Sequence, residues 1–150
     1  MLGELNETQV DHLLRAEVIG RIGCHADGIT YVVPVTYVYD GADIYGHSAA
    51  VGTKIDMMRK NPDVCFEVDS MQNMTNWQSV IVWGKFEEIT KKIDQKQAMK
   101  KLTDRIMPLM TSEAAQPTHG FKKNAQDAGK HEMILYRIKL YKKTGRFEKR

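Results

Sequence analysis

This chain has little cysteine, little proline and no long hydrophobic run, and each shortage narrows what it can be. Its 150 residues include two Cys and four Pro, and no apolar stretch approaches the length of about 20 residues that a membrane span requires. Cys24 and Cys65 each lie inside an apolar, strand-like run, no Cys-x-x-Cys pair exists, and two buried thiols are expected rather than a disulfide. His12, His25, His47, His119 and His131 show no ligand-like spacing, so no metal site is expected. The N-terminal MLGELNETQVDHLL has neither a basic region nor an apolar core of the secretory kind, which makes a cytoplasmic location and no membrane attachment the expectation. Acidic residues are sparse near the C-terminus. The net charge is +3, yet residues 122–150 carry ten Lys or Arg against three Asp or Glu, a local excess of +7. That run reads as a solvated basic edge or as an attractor of an anionic small molecule. It lacks interleaved aromatics and any nucleic-acid motif, so no nucleic-acid partner is expected.

What is present is the material of one mainly β domain spanning residues 1–150. Residues 6–16, NETQVDHLLRA, form an amphipathic helix that Asn6 or Thr8 can cap, with Val10, Leu13 and Leu14 on one face. From Val18 the period becomes extended. Asp27-Gly28 makes a hairpin turn, and ITYVVPVTYVY follows as a strand. Pro34 in its middle has no N–H to donate, which implies an edge, a bulge or a place where the ladder opens. A turn at Asp40-Gly41 and a third strand, ADIYGHS, suggest an antiparallel meander. KIDMMRK (54–60) is a short helix ended by Asn61-Pro62. DVCFEVD alternates as a strand, 70–76 is a polar loop, and WQSVIVWGKFEEI is a long strand with a bulge or close approach at Gly84. A helix from Asp94, its cap, to Met107 buries a stripe of Ile93, Met99, Leu102 and Ile106. A long loop over 108–129 and a closing strand from Met133 to Tyr141 complete the chain. No βαβ alternation supports a Rossmann fold.

Chemistry concentrates in GHSAAVGTK, residues 46–54. A strand ends at Gly46, small residues allow close approach of the backbone, and a helix begins near Thr53. The free N–H groups and positive end of such a helix favour an anion, while Ser48 and Thr53 add hydroxyls and Lys54 a full charge. Arg59 falls on another face. Five residues separate Gly46 from Gly52 and Thr precedes Lys, so this is no Walker A loop, and there is no G-x-G-x-x-G. Two readings stand: a phosphate cradle, or a plain turn with an exposed lysine. His47 finishes a strand, donates to a phosphate, or serves as an acid–base group. Trp77 and Trp83, six apart, share a strand face unless a bulge intervenes; Trp83 reads as core, and Trp77 with Ser79 could cover a planar ligand.

PVTYVYDGADIYGHSAAVGTKIDMMRKNPDVCFEVD followed by WQSVIVWGKFEEI resembles the FMN-binding split-barrel superfamily, that of pyridoxamine 5'-phosphate oxidase, and most of all its nitroimidazole-resistance (Nim-type) proteins. The linked motifs are HSAxxGxK, a hydrophobic helix, NPxVCFEVD and WxSVxxxG. They cover residues 18–89 and, more weakly, the closing strand with TGRF. The resemblance implies a six-stranded antiparallel split barrel, a β-barrel with short helices. It implies a phosphate and ribityl site at His47, Ser48, Gly52, Thr53 and Lys54, a segment along the isoalloxazine at Pro34, Val35 and Thr36, and a second wall at Trp77, Ser79 and Val80. It also implies a homodimer with flavin sites at the subunit interface.

The pyridoxamine phosphate oxidases place an Arg-Lys pair where this chain has Thr53-Lys54, and their substrate-phosphate residues have no counterpart here; oxidation of pyridoxamine phosphate is therefore not implied. The expected function is an FMN-dependent oxidoreductase reducing a small electron-poor molecule such as a nitroimidazole, with His47 the candidate catalytic residue. FAD is the alternative flavin and haem a more distant alternative cofactor. The rival readings are a flavin or haem carrier without turnover, and a barrel with an empty groove.

Overall fold

The structure, a computed structural model, describes residues 1–109 and 132–150. Eight strands and three helices follow one another: β1 (Leu2–Glu4), α1 (Glu7–Ala16), β2 (Ile19–Ala26), β3 (Ile29–Thr36), β4 (Val38–Tyr39), β5 (Asp43–Ala49), α2 (Thr53–Lys60), β6 (Asp63–Asn73), β7 (Asn76–Glu88), α3 (Lys92–Ile106) with a 3-10 turn at Met107–Leu109, and β8 (Met133–Glu148). Among the described residues no helix is long and apolar enough to cross a membrane.

All strands join one antiparallel sheet in the order β3-β2-β6-β7-β8-β5-β4, with β1 added to β8. The barrel is therefore split. Its end strands β3 and β4 are consecutive in sequence, divided at Tyr37, and do not pair with each other. This corrects the expected count of six strands to eight. The expected meander is present in part: the strand expected over 29–39 divides at Tyr37, β3 pairing with β2 and β4 with β5, so both hairpins form, while β5 pairs on its other side with β8. Tyr37 turns the chain at the split: its N–H donates to Val18 O at 3.1 Å, its hydroxyl to Leu14 O at 2.7 Å, and its ring meets Phe66 edge-on at 5.0 Å.

Local chemistry accounts for most of these elements. Asn6 caps α1 through a capping box: its Oδ1 accepts from Gln9 N at 2.9 Å, and Gln9 Oε1 accepts from Asn6 N at 2.8 Å. The β2–β3 hairpin turns through Asp27 (φ 52°) and Gly28 (φ 76°), the primed turn whose twist suits antiparallel strands. Pro34 sits on β3, which pairs with β2 alone, so the edge reading holds and no ladder bond is lost on its open side. At Gly84 the β7–β8 register shifts, and a Cβ there would lie 2.6 Å from Lys139 O.

Period-2 alternation sends Ile22, Cys24, Val64, Phe66, Val68, Val80, Val82, Tyr136 and Ile138 into the barrel, which α1 and α2 close with Leu13, Leu14, Ile55 and Met58. A second core lies outside the barrel, where α3 packs Ala98, Leu102 and Ile106 on Tyr45, Ile89 and Leu135. Here the expected stripe needs correction. Ile93 is 67% exposed and Ala98 takes its place, while Asp94 lies inside the first turn and makes no cap. Residues 70–76 are not a loop but the end of a long ribbon, with β6 running to Asn73 and β7 starting at Asn76. The closing strand runs on to Glu148, seven residues beyond the expected end. The expected loop lies outside the described residues, apart from Pro108 and Leu109 in the 3-10 turn. Cys24 is buried inside the barrel and Cys65 half-buried on the outer face, both as free thiols.

Candidate functional site

β5 ends at Ala49 and α2 begins at Thr53, and the turn between them borders a groove of about 380 Å³. That is the size range of small-molecule and cofactor sites, about 300–1,000 Å³. One wall is β3, contributing Tyr31, Val33 and Val35 from the face that looks at the core, and Pro34 and Thr36 from its free edge. The opposite wall is His47, Ser48 and Ala49 of β5, and the end is closed by 51–55.

The turn is built to leave its N–H groups available. Gly52 is the residue before α2, at φ 140° and ψ 166°, a conformation that essentially only glycine adopts. With glycine in that place no side chain caps the helix, so the donors of the first turn have no side-chain acceptor. An anion placed there meets unsatisfied donors and the positive end of the helix dipole. Ser48 is 7% exposed and, tyrosines aside, is the one polar residue buried among the described residues. Lys54 is half-buried, and burial pushes its ammonium below the usual lysine range, only partly opposed by the Cys24 thiol nearby. A charged lysine in such a place is stabilised by an anion. Cys24 is shifted the other way: burial raises its thiol, Cys65 adds to that, and Lys54 counters it.

The turn is held from outside by residues that spacing alone did not single out. Arg59 points away from the groove, as expected, and its guanidinium donates to Ala50 O at 2.9 Å while pairing with Glu88. Ala50 N donates to Glu132 O at 3.0 Å. The cradle is thus tied to β7 and to the start of β8. Among the wall residues, Tyr31 and Val33 could have been found from Val35 by counting back in twos along the strand. Nothing local in the sequence announces the Arg59 clamp, because Glu88 lies 29 residues away.

Of the eleven residues expected to bind a cofactor, the structure gathers eight around this groove: Pro34, Val35, Thr36, His47, Ser48, Gly52, Thr53 and Lys54. Trp77, Ser79 and Val80 are not among its lining residues. Val80 is fully buried in the barrel core. Trp77, Ser79 and Trp83 lie on the outer face of β7, three strands from β3, or roughly 14 Å across the sheet at the usual strand spacing. The shared face expected for the two tryptophans is present, since the bulge follows Trp83. Trp83 is half-buried beneath the Lys142 ammonium rather than in the core.

A family model described as pyridoxamine 5'-phosphate oxidase matches residues 6–146. The chain is 28% identical to a FAD-binding protein of Mesorhizobium loti whose crystal structure superposes with a TM-score of 0.76, covering 98% of each chain. A Bacteroides thetaiotaomicron protein assigned to 5-nitroimidazole antibiotic resistance superposes with a TM-score of 0.74 over 98% of this chain and 87% of its own, at 16% identity, a likeness of fold. An uncharacterized protein of Rhizobium meliloti is 32% identical over 85 residues; that match spans 57% of this chain and 56% of the relative, little more than half its length. The matched span runs from the cap of α1 nearly to the end of β8 and takes in both walls of the groove, and on that ground the chain belongs to the pyridoxamine 5'-phosphate oxidase family.

Proposed function

We propose that the groove binds a flavin and that the protein is a flavin-dependent oxidoreductase acting on a small electron-poor molecule, of which a nitroimidazole is one example. The observation that carries this reading is the uncapped N-terminus of α2, with Gly52 at φ 140° and half-buried Lys54 at the end of a groove whose long wall is apolar. This donor set fits a phosphate joined to a flat, largely apolar group. The 28% identity with a FAD-binding protein supports the same cofactor class.

The chain's own residues then divide the work. Lys54, the hydroxyls of Ser48 and Thr53 and the first-turn N–H groups hold the phosphate. Tyr31, Val33 and Val35 present an apolar wall to the ring, and the free edge of β3 around Pro34–Thr36 offers backbone groups to its polar rim. A bound flavin supplies reversible one- and two-electron transfer. In this reading His47, which lines the same groove, holds or moves a proton there.

The protein also acts as a homodimer in this reading. Trp77 and Ser79 stand on an outer sheet face that also exposes Ile19, Val32, Met71 and Ile81, and a second copy laid on that face would bring them to its groove. The Arg21 guanidinium, paired with Glu67 and Asp69 at 3.2 Å, stands among these apolar side chains on the same face, and in this reading a partner copy covers both kinds of group. A visible absorption spectrum of the purified protein tests the cofactor. Flavin bands at one equivalent per chain are expected, weakened on Lys54→Ala. A colourless protein that leaves the fluorescence of added flavins unquenched refutes the reading. Turnover of a nitro compound with NAD(P)H separates an enzyme from a carrier, and sedimentation tests the dimer.

A further inference from the structure

Three tyrosines lie in the barrel core with almost no exposure, and two of them have partners for their hydroxyls. Tyr37 donates to Leu14 O at 2.7 Å, and Tyr39 donates to Asp11 Oδ1 at 2.5 Å while accepting from Lys143 Nζ at 2.8 Å. The third, Tyr136 of β8, is fully buried, and among the described residues its hydroxyl has no hydrogen-bond partner. Burial alone raises its ionisation above the usual tyrosine range. Phenylalanine would keep the contact with the Phe86 ring, 5.6 Å away, without burying an unpaired hydroxyl.

That hydroxyl has a definite place in the fold. Tyr136 pairs with Gly46 of β5 and its ring lies across that glycine, so that a Cβ built there would collide first with the Tyr136 hydroxyl. Period-2 alternation puts Ile44, Gly46 and Ser48 on the barrel side of β5, the side that Tyr136 occupies. The ring thus starts on β8 and ends on β5. The other edge of β5, beyond Tyr45, pairs with no described strand and borders the groove. Ser48 is the next side chain along that barrel-side face, roughly 7 Å from Gly46 at the usual strand rise. It is buried, and of the three it is the one that lines the groove. A phenol and a serine hydroxyl at this spacing join directly when the serine turns, or across one water.

We propose that Tyr136 is a positioning residue for the ligand of the groove and acts through Ser48. The phenol donates to Ser48 Oγ, and the serine O–H is thereby aimed at the acceptor in the groove, which in the reading above is a flavin phosphate. A hydroxyl that accepts a hydrogen bond also donates a stronger one. This rests on the flavin reading and adds to it a residue from outside the groove's lining.

Fluorescence titration of the apoprotein with FMN and with FAD gives the Kd for wild type, Tyr136→Phe, Ser48→Ala and the double variant. Tyr136→Phe is expected to raise Kd about fivefold, the size of one net hydrogen bond. Ser48→Ala is expected to raise it at least as far, and the double variant to match Ser48→Ala within about twofold, because the phenol acts only through the serine. The melting temperature of the Tyr136→Phe apoprotein is expected to hold or rise, which separates lost affinity from lost stability. Unchanged affinity in Tyr136→Phe, or two substitutions whose effects multiply independently, overturns the relay and leaves the flavin reading intact. A Tyr136→Phe apoprotein that melts well below wild type also overturns it, since the hydroxyl would then serve the fold itself. Failure of both nucleotides to bind the wild type overturns both readings.

Discussion

Replacing Gly52 with alanine separates backbone conformation from packing at the centre of the site. A Cβ built on Gly52 meets no atom within 4 Å, so a methyl group has room. The backbone, at φ 140° and ψ 166°, is where an L-residue is strained by about 1–3 kcal/mol. Alanine also narrows the unfolded ensemble, which returns about 0.4–1 kcal/mol. The net expectation is a destabilisation of about 1–2 kcal/mol, or a fall in melting temperature of roughly 2–8 °C for a chain of this length. Relaxation of the turn would re-aim the first N–H groups of α2, so flavin affinity is expected to fall along with stability. Calorimetry of the apoprotein and fluorescence titration with flavin read the two effects separately. D-alanine, introduced by semisynthesis, supplies the control. Its preferred backbone region mirrors that of the L-residue, so it should keep wild-type affinity and match or exceed wild-type stability. Gly52→Ala as stable as wild type, or D-alanine as damaging as L-alanine, would refute the reasoning, because the cost would then not lie in the handedness of the backbone.

Arg59→Met removes the bond to Ala50 O and the pair with Glu88 while keeping a long apolar stem; flavin Kd is expected to rise roughly three- to tenfold, with little change in melting temperature because exposed ion pairs contribute little. Glu88→Gln, which leaves the Ala50 bond in place, should bind flavin almost as wild type does. Asp40 gives the pH dependence. Burial would raise its carboxyl, but the Asp43 N–H, the Lys101 ammonium and the Ala42 N–H together hold it below the usual carboxylate value. A depressed native pKa contributes stability that is complete above the unfolded value near 3.9 and is lost as pH falls through the native value. Chemical denaturation between pH 6 and pH 2 should show a flatter acid slope in Asp40→Asn. Asp40→Ala, which also strips the two backbone donors of their acceptor, should cost about 1–3 kcal/mol at neutral pH.

The parts of the fold that follow from local chemistry were legible in the sequence. Val64, Phe66 and Val68 alternate because one face of β6 is core, and Asp27-Gly28 turns because both residues accept positive φ. Gly84 stands where the strand must bulge past Lys139 O. The parts that depend on distant partners were not. Ser70, Gln72, Asn73 and Asn76 are polar and, with Met71 alone among them, show no apolar alternation, yet they extend the ribbon because each strand supplies the other's hydrogen bonds. The stripe of α3 was misread for a related reason. Its partner is the outside of the barrel, where Ala98 lets the helix approach Tyr45, whereas Ile93 lies before any surface it could cover.

The same division runs through the site. The composition of 46–54 points to an anion because small residues, hydroxyls and a lysine at a strand-to-helix turn are what an anion requires there. Where that turn stands in space is decided elsewhere. β5 is positioned by seven register pairs with β8, formed some ninety residues later in the chain, and Ala50 is gripped on one side by Glu132 and on the other by Arg59. Trp77 and Ser79 make the point from the opposite direction. They belong to the same linked motifs as Lys54, yet the strand order puts β6 and β2 between them and β3. Motif order along a chain records which residues serve one site. It does not record whether a single copy of the fold can bring them together, and in this fold β7 and β3 show the outer face of one sheet from positions three strands apart. A residue that serves the groove from that face must therefore do so on another molecule, so the dimer and the second wall of the site stand or fall as one claim.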